Sequence, residues 1–176
     1  RGIPVPQHRR HDRLARRSIA LGALSRPAWR PTNRSASHRE RYPSATLHGY
    51  DVTPAMIAHG QRLSCPGARP TLALHDVATQ PLPHRAASAH LVSMTSVLHL
   101  VDEPLPVLAE IRRVLTPGGI FLLHDWARQP LRAYLAWRRE RLGEGESESL
   151  RRGFRLFPVH NKYTAQDWQW LLAEAG

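Results

Sequence analysis

The run from Pro104 to His124 changes period once, and that change limits what this chain can fold into. Val107, Leu108, Ile111, Val114 and Leu115 recur at the i, i+3, i+4, i+7 spacing of one helix face. Asp102 and Glu103 stand at the positive end of that helix and Arg112 and Arg113 in its last turn, as the helix dipole favours. Pro117-Gly118-Gly119 is expected to stop it. Ile120-Phe121-Leu122-Leu123-His124 then reads as a strand, and its continuous apolar run predicts burial on both faces. A doubly buried strand that follows a helix belongs in a parallel sheet.

The flanking segments extend the alternation. Thr46–Tyr50 reads as a strand ending at Asp51. Thr53 as N-cap and Pro54 at the first helical position open a helix carrying Met56, Ile57 and Leu63, which Gly67 and Pro70 end. Thr71–His75 and His90–Met94 are two further strands. Leu131–Leu142 reads as an amphipathic helix, Gly143–Ser149 as an acidic linker, and Thr164–Ala175 as a last helix with Thr164 and Asp167 at capping-box spacing. Strand alternating with helix is the pattern of a doubly wound α/β fold with a mostly parallel sheet.

Charge divides the chain. Of its 176 residues, the first 41 hold eleven Arg and two acids, a net of +9, while residues 42–176 are nearly balanced at +2. Residues 1–41 therefore read as a basic, disordered or non-homologous segment, and 42–176 as the folded domain. The overall +11 suggests nucleic acid, but Trp29 is the segment's one large aromatic, so base stacking has little support. A non-enzymatic domain that binds nucleic acid through this arm is the alternative reading. No apolar run approaches the roughly 20 residues of a membrane span. Cys65 is alone, which excludes a disulfide framework and agrees with a cytoplasmic location.

In an open parallel sheet, ligands sit at the carboxyl ends of strands. Asp51, His75-Asp76-Val77, Met94-Thr95-Ser96 and Asp125-Trp126 hold those places. An acid after such a strand accepts hydrogen bonds from ribose hydroxyls, which marks Asp51, and Asp76 can accept an adenine amine. His75, His84, His90, His99 and His124 lack metal-ligand spacing, so no metal is expected. No G-x-S-x-G elbow and no P-loop occurs.

Five segments taken together resemble one family. Asp51-Val52-Thr53-Pro54-Ala55-Met56 is similar to the D-x-S-x-x-M segment of class I S-adenosylmethionine-dependent methyltransferases. His75-Asp76-Val77-Ala78-Thr79-Gln80-Pro81-Leu82-Pro83 resembles that family's G-D-A-x-x-L-P, and Leu91–Leu100 its D-x-V-x-S-x-x-x-L-H-H. Glu110–Gly119 resembles E-x-x-R-V-L-K-P-G-G, and Leu171–Gly176 resembles L-L-x-x-A-G-F. The resemblance implies a Rossmann-like sheet and S-adenosylmethionine as cofactor, with a small-molecule methyl acceptor. It implies that Asp51, with Val52 and Met56 beside it, holds the ribose. Asp76 and Val77 would frame the adenine, and Met94 and Thr95 would line the methionine end. His99 is the first candidate base and His160, in the polar run His160-Asn161-Lys162-Tyr163, the second.

Two departures qualify the resemblance. The family's first strand ends in a G-x-G-x-G loop, but the matching positions lie near Ala28, Arg30 and Thr32, and no such loop occurs in the chain. His90 stands where the family has Asp. An incomplete sheet is therefore expected, without a first strand between those ending at Asp51 and Met94 and without the two terminal strands. A fragment of this kind is expected to be unstable and to bind cofactor weakly. Out-of-frame reading of GC-rich DNA would produce the Arg-rich start, and the other two reading frames upstream test that.

Overall fold

A computed structural model describes residues 44–64 and 67–176. The basic segment 1–41, the arm of the nucleic-acid reading, and Cys65 lie outside the described residues.

Strand β1 (His48–Asp51) pairs in parallel with β2 (Thr71–Leu74), His48 opposite Thr71 and Asp51 opposite Leu74. Helix α1 (Pro54–Arg62) connects them and packs on both. Strand β3 (Ala89–Thr95) pairs in parallel with β4 (Leu115–His124), joined by helix α2 (Pro104–Val114). Among the described residues these are two separate two-stranded parallel sheets. Parallel pairs joined by crossover helices are what the alternating sequence predicts.

β3 is the most buried element, since every residue except His90 is buried. α2 presents Val107, Leu108, Ile111 and Val114 to the same core. Helix α5 (Ala165–Glu174) closes that side with Trp168 and Leu171. Its capping box forms as expected: Thr164 Oγ1 accepts from Asp167 N at 3.1 Å, and Asp167 accepts from Thr164 N at 2.6 Å. The two hydrogen bonds from Thr164 hold the Asp167 carboxyl below its ordinary range.

Three local expectations are corrected. α2 ends at Val114, before Pro117-Gly118-Gly119, and β4 starts at once. From Ala89 to Leu91 β3 advances two residues while β4 advances five, from Leu115 to Ile120. The Pro-Gly-Gly stretch is thus a bulge, and Gly118 takes φ 74° there, where a side chain would be strained. Second, β4 is not buried on both faces: Ile120 and Leu122 are 48% and 45% exposed while Phe121 and Leu123 point inward. An apolar run does not reveal whether its second face is covered. Third, the acidic stretch 143–149 is no linker. Gly143 takes φ 65° and ends helix α3 (Leu131–Leu142), and helix α4 (Glu146–His160) begins three residues later. Glu146 and Glu148 sit in its first turn, where the dipole favours acids.

α3 and α4 form a packed hairpin. A Cβ on Gly153 would collide with Leu135 Cδ2, so glycine allows this close approach. Arg138, 1% exposed, lies inside, in a two-pronged ion pair with Glu144 whose Nε–Oε2 contact is 2.8 Å.

Truncating the buried face should be far more costly than truncating the exposed one. Ile111→Ala should destabilise by about 2–5 kcal/mol, and Leu122→Ala by less than half of that. Urea denaturation of the two variants measures both; equal losses would mean that the outer face of β4 is covered.

Candidate cofactor and acceptor site

The carboxyl ends of β1, β2 and β3 border one cavity of about 340 Å³. Asp51, at the end of β1, is 4% exposed and accepts from Thr53 N at 2.8 Å. That bond fixes Thr53, the extended residue just before α1. Thr53 occupies the N-cap position but makes no side-chain cap bond. Asp76, after β2, accepts from Ala78 N at 3.0 Å and Thr79 Oγ1 at 2.9 Å, which fixes the loop that carries Val77. Val52, Val77, Met94, Val97, Leu100 and Val101 supply apolar wall, and Asp102 stands at the edge.

Of the residues expected to hold cofactor, Asp51, Val52, Asp76, Val77 and Met94 line this cavity. Met56 and Thr95 stand outside its lining: Met56 is half-buried on α1, and Thr95 pairs across to His124 on β4. Tyr50, Val97, Leu100, Val101 and Asp102 line it without having been singled out from sequence. Their signal was position, since they flank the ends of β1 and β3. Ser96 turns the chain there with φ 54°, a left-handed conformation that is strained for serine. The one-turn 3-10 helix Leu98–Leu100 follows.

His99 leaves that turn away from the cavity. It is 3% exposed, and its Nδ1 lies 2.6 Å from Asp125 Oδ1. Asp125 also accepts from His99 N at 3.3 Å and from Trp126 N at 2.7 Å. His160, the last residue of α4, stacks on Trp126 with centroids 4.1 Å apart and planes at 10°. Its centroid is 5.4 Å from that of His99. The two candidate bases are therefore neighbours, although 61 residues separate Val101 and Lys162, the pair that ties their segments together through a 2.9 Å bond from Lys162 Nζ to Val101 O. Asn161 is structural: it accepts from Gln129 N and donates to Phe157 O.

The cavity's chemistry suits a nucleoside. Two carboxylates on separate strand ends offer acceptors to hydroxyl and amine donors, and the walls between them are apolar. Such a pocket takes a flat ring by its faces and fixes its polar edges. Tyr50 completes one wall, with its hydroxyl 2.7 Å from His84 Nε2. Burial pushes the Tyr50 phenol up. Burial, then the nearby His48, Arg113 and His75, push His84 down. Among the described residues no group of three or more His, Cys, Asp and Glu could hold a metal, and no helix is long and apolar enough to cross a membrane.

Parallel strands joined by helices, with acids at the strand ends, are the arrangement of a Rossmann-like fold. Residues 32–123 match the family model of the methyltransferase domain, and the chain belongs to that family. Dimethylglycine N-methyltransferase of Parasynechococcus marenigrum is 32% identical over 87 residues, 48% of this chain and 31% of that protein. Two solved structures share the fold. The putative methyltransferase complexed with the Trm112 activator of Haloferax volcanii gives a TM-score of 0.61 at 16% identity, over 92% of this chain and 61% of that one. The trans-methyltransferase CalH, complexed with S-adenosylhomocysteine, gives 0.62 at 14% identity, over 94% and 46%. The chain thus spans about a third of the curated relative and about half of these structures. S-adenosylmethionine is the cofactor that the family and the CalH complex indicate.

The wall at Tyr50 carries a pH dependence. A folded-state pKa below the ordinary 6.5 means that the unfolded chain takes up the His84 proton first as pH falls. Stability is then full above about pH 6.5 and is lost below it. Melting temperatures from pH 8 to 5 should fall on the acid side, less steeply in His84→Gln; an unchanged slope would remove His84 from the account.

Proposed function

We propose that this chain transfers a methyl group from S-adenosylmethionine to a small-molecule nucleophile. The observation that carries the reading is the convergence of Asp51, Asp76, Val77 and Met94, from three strand ends, on one apolar cavity. Asp51 accepts the ribose hydroxyls, Asp76 accepts the adenine amine, and Val77 with Leu100 holds the ring faces. Met94 lies toward the methionine end. Bound there, the cofactor offers a methyl carbon whose bond to sulfur breaks as the acceptor's lone pair bonds to it, leaving S-adenosylhomocysteine.

The chain's part is to orient and to exclude water. Where the acceptor has a proton to lose, His99 Nε2 is the group that takes it, because Nδ1 is committed to Asp125. His99 is buried, so the acceptor reaches it only when the α3–α4 hairpin lifts, as lids do in many enzymes. The name of the Parasynechococcus relative, a dimethylglycine N-methyltransferase, supports a small amine-type acceptor.

Without the glycine loop, affinity for S-adenosylmethionine should be weaker than micromolar but measurable by titration calorimetry. Asp51→Ala removes hydrogen bonds to a charged acceptor, worth about 1.5–3 kcal/mol, so it should weaken binding by about tenfold to a hundredfold. An unchanged affinity in Asp51→Ala would place the ribose elsewhere, and no binding by the parent chain would defeat the reading.

A further inference from the structure

Helix α4 buries small residues and exposes large ones. Ser149 and Gly153, one turn apart, are its buried positions, and both lie against Leu135 of α3. Leu156 and Phe157 are half-buried. Leu150, Phe154 and Pro158 form a row on the outside, and Phe154 is 61% exposed. The adjoining row is Ser147, Arg151, Arg155 and Val159, all exposed as well. A helix that serves only to pack turns its large apolar side chains toward the core. Single exposed apolar residues are ordinary on any surface, but an apolar row flanked by an arginine row is a patch with a chemistry of its own.

The charge around that patch has one sign. Residues 131–160 hold seven Arg and four Glu, whereas the rest of 42–176 holds seven basic residues and eight acids. The hairpin is thus +3 on a domain that is −1 elsewhere. Two of its acids are already engaged, Glu144 by Arg138 and Glu148 by Arg152 at 3.0 Å. Among the described residues Arg151 and Arg155 have no ion-pair partner. An occupant of the two rows must therefore be apolar where it meets Leu150 and Phe154 and anionic beside them. A second copy of α4 would set the same arginine row against this one, with Glu146 the one acid on the exposed rows. Residues 1–41, with eleven Arg and two acids, carry the same sign.

We propose that the outer rows of α4 dock this protein on an anionic lipid surface. The helix lies parallel to that surface. Leu150, Phe154 and Pro158 enter the boundary between headgroups and acyl chains, and Arg151 and Arg155 donate to phosphate oxygens from the flank. Arginine suits that place, because its stem lies along apolar surface while the guanidinium stays at the headgroups. Docking of this kind needs no crossing of the membrane. α4 ends at His160, whose ring lies 5.4 Å from that of His99, so the docked rows are the outer side of the cover over His99. The docking does not rest on the methyl-transfer reading.

Vesicle sedimentation of the full chain tests it. The chain should sediment with phosphatidylglycerol vesicles and not with phosphatidylcholine vesicles, and added salt should weaken the binding. Arg151→Gln with Arg155→Gln should weaken it about thirtyfold. Leu150→Ser with Phe154→Ser should weaken it about tenfold or more. All four positions are exposed, so both double variants should melt with the parent. The basic segment 1–41 also attracts anionic lipid through charge alone, which calls for a local readout. Lipids brominated in their acyl chains should quench the fluorescence of Phe154→Trp more than that of the parent. Equal quenching, no capture by the vesicles, or unchanged partition of either double variant overturns the proposal. Dimers in the absence of lipid that Leu150→Ser with Phe154→Ser abolishes, together with no vesicle capture, overturn it in favour of a second copy.

Discussion

One carboxylate sets the shape of the site. Asp125 is 1% exposed at its side chain and receives three N–H groups, from the His99 ring, the His99 backbone and the Trp126 backbone. The two from His99 hold the turn after β3 against the end of β4, and the third fixes the carboxylate on its own segment. That turn has two sides. His99 faces Asp125, while Val97, Leu100, Val101 and Asp102 form a wall of the cofactor cavity. Pinning one side therefore shapes the other. Removing Asp125 would leave its N–H donors buried without an acceptor, at about 1–3 kcal/mol each, so that wall depends on this carboxylate.

The packing explains why the turn can be held this tightly. β3 is buried along nearly its whole length, and α2 and α5 close over it. A strand fixed on both sides transmits no slack to the residue that follows. Ser96 is held there at φ 54°, and its backbone N–H donates to His124 O at 2.8 Å. Strain of this kind persists where the surroundings over-determine the backbone. Tyr50 plays the matching part on the other sheet, as its ring is 6% exposed and its hydroxyl is tied to His84.

What was legible in the sequence was local. The α2 stripe, the Thr164–Asp167 box and the strand-end acids depend on spacing within one element, and each forms as its residues dictate. What was not legible depends on what lies across space. Ile120 and Leu122 look as buried as Phe121 and Leu123 in the sequence, because burial is decided by the neighbouring layer and not by the strand. The stretch 143–149 has the composition of a linker, yet Glu144 turns inward to pair with Arg138 and Ser149 is buried. His99 and His160 each looked like a lone candidate base. Their adjacency comes from the packing of the one-turn helix Leu98–Leu100 against α4, across 61 residues of chain.

The cavity and the cover over His99 come from different stretches of the chain. The cavity is built from strand ends inside residues 32–123, the stretch that matches the family model. Asp125 stands two residues beyond that stretch, and the α3–α4 hairpin lies wholly outside it. Asp125 is thus the junction: it closes the family-like half and orients the ring that the hairpin covers. A hairpin held by a buried Arg138–Glu144 pair is a costly structure, since well-packed apolar residues could replace the pair without loss of stability. The stretch that matches the family model therefore supplies the cavity wall, and the segments outside it supply the cover over His99.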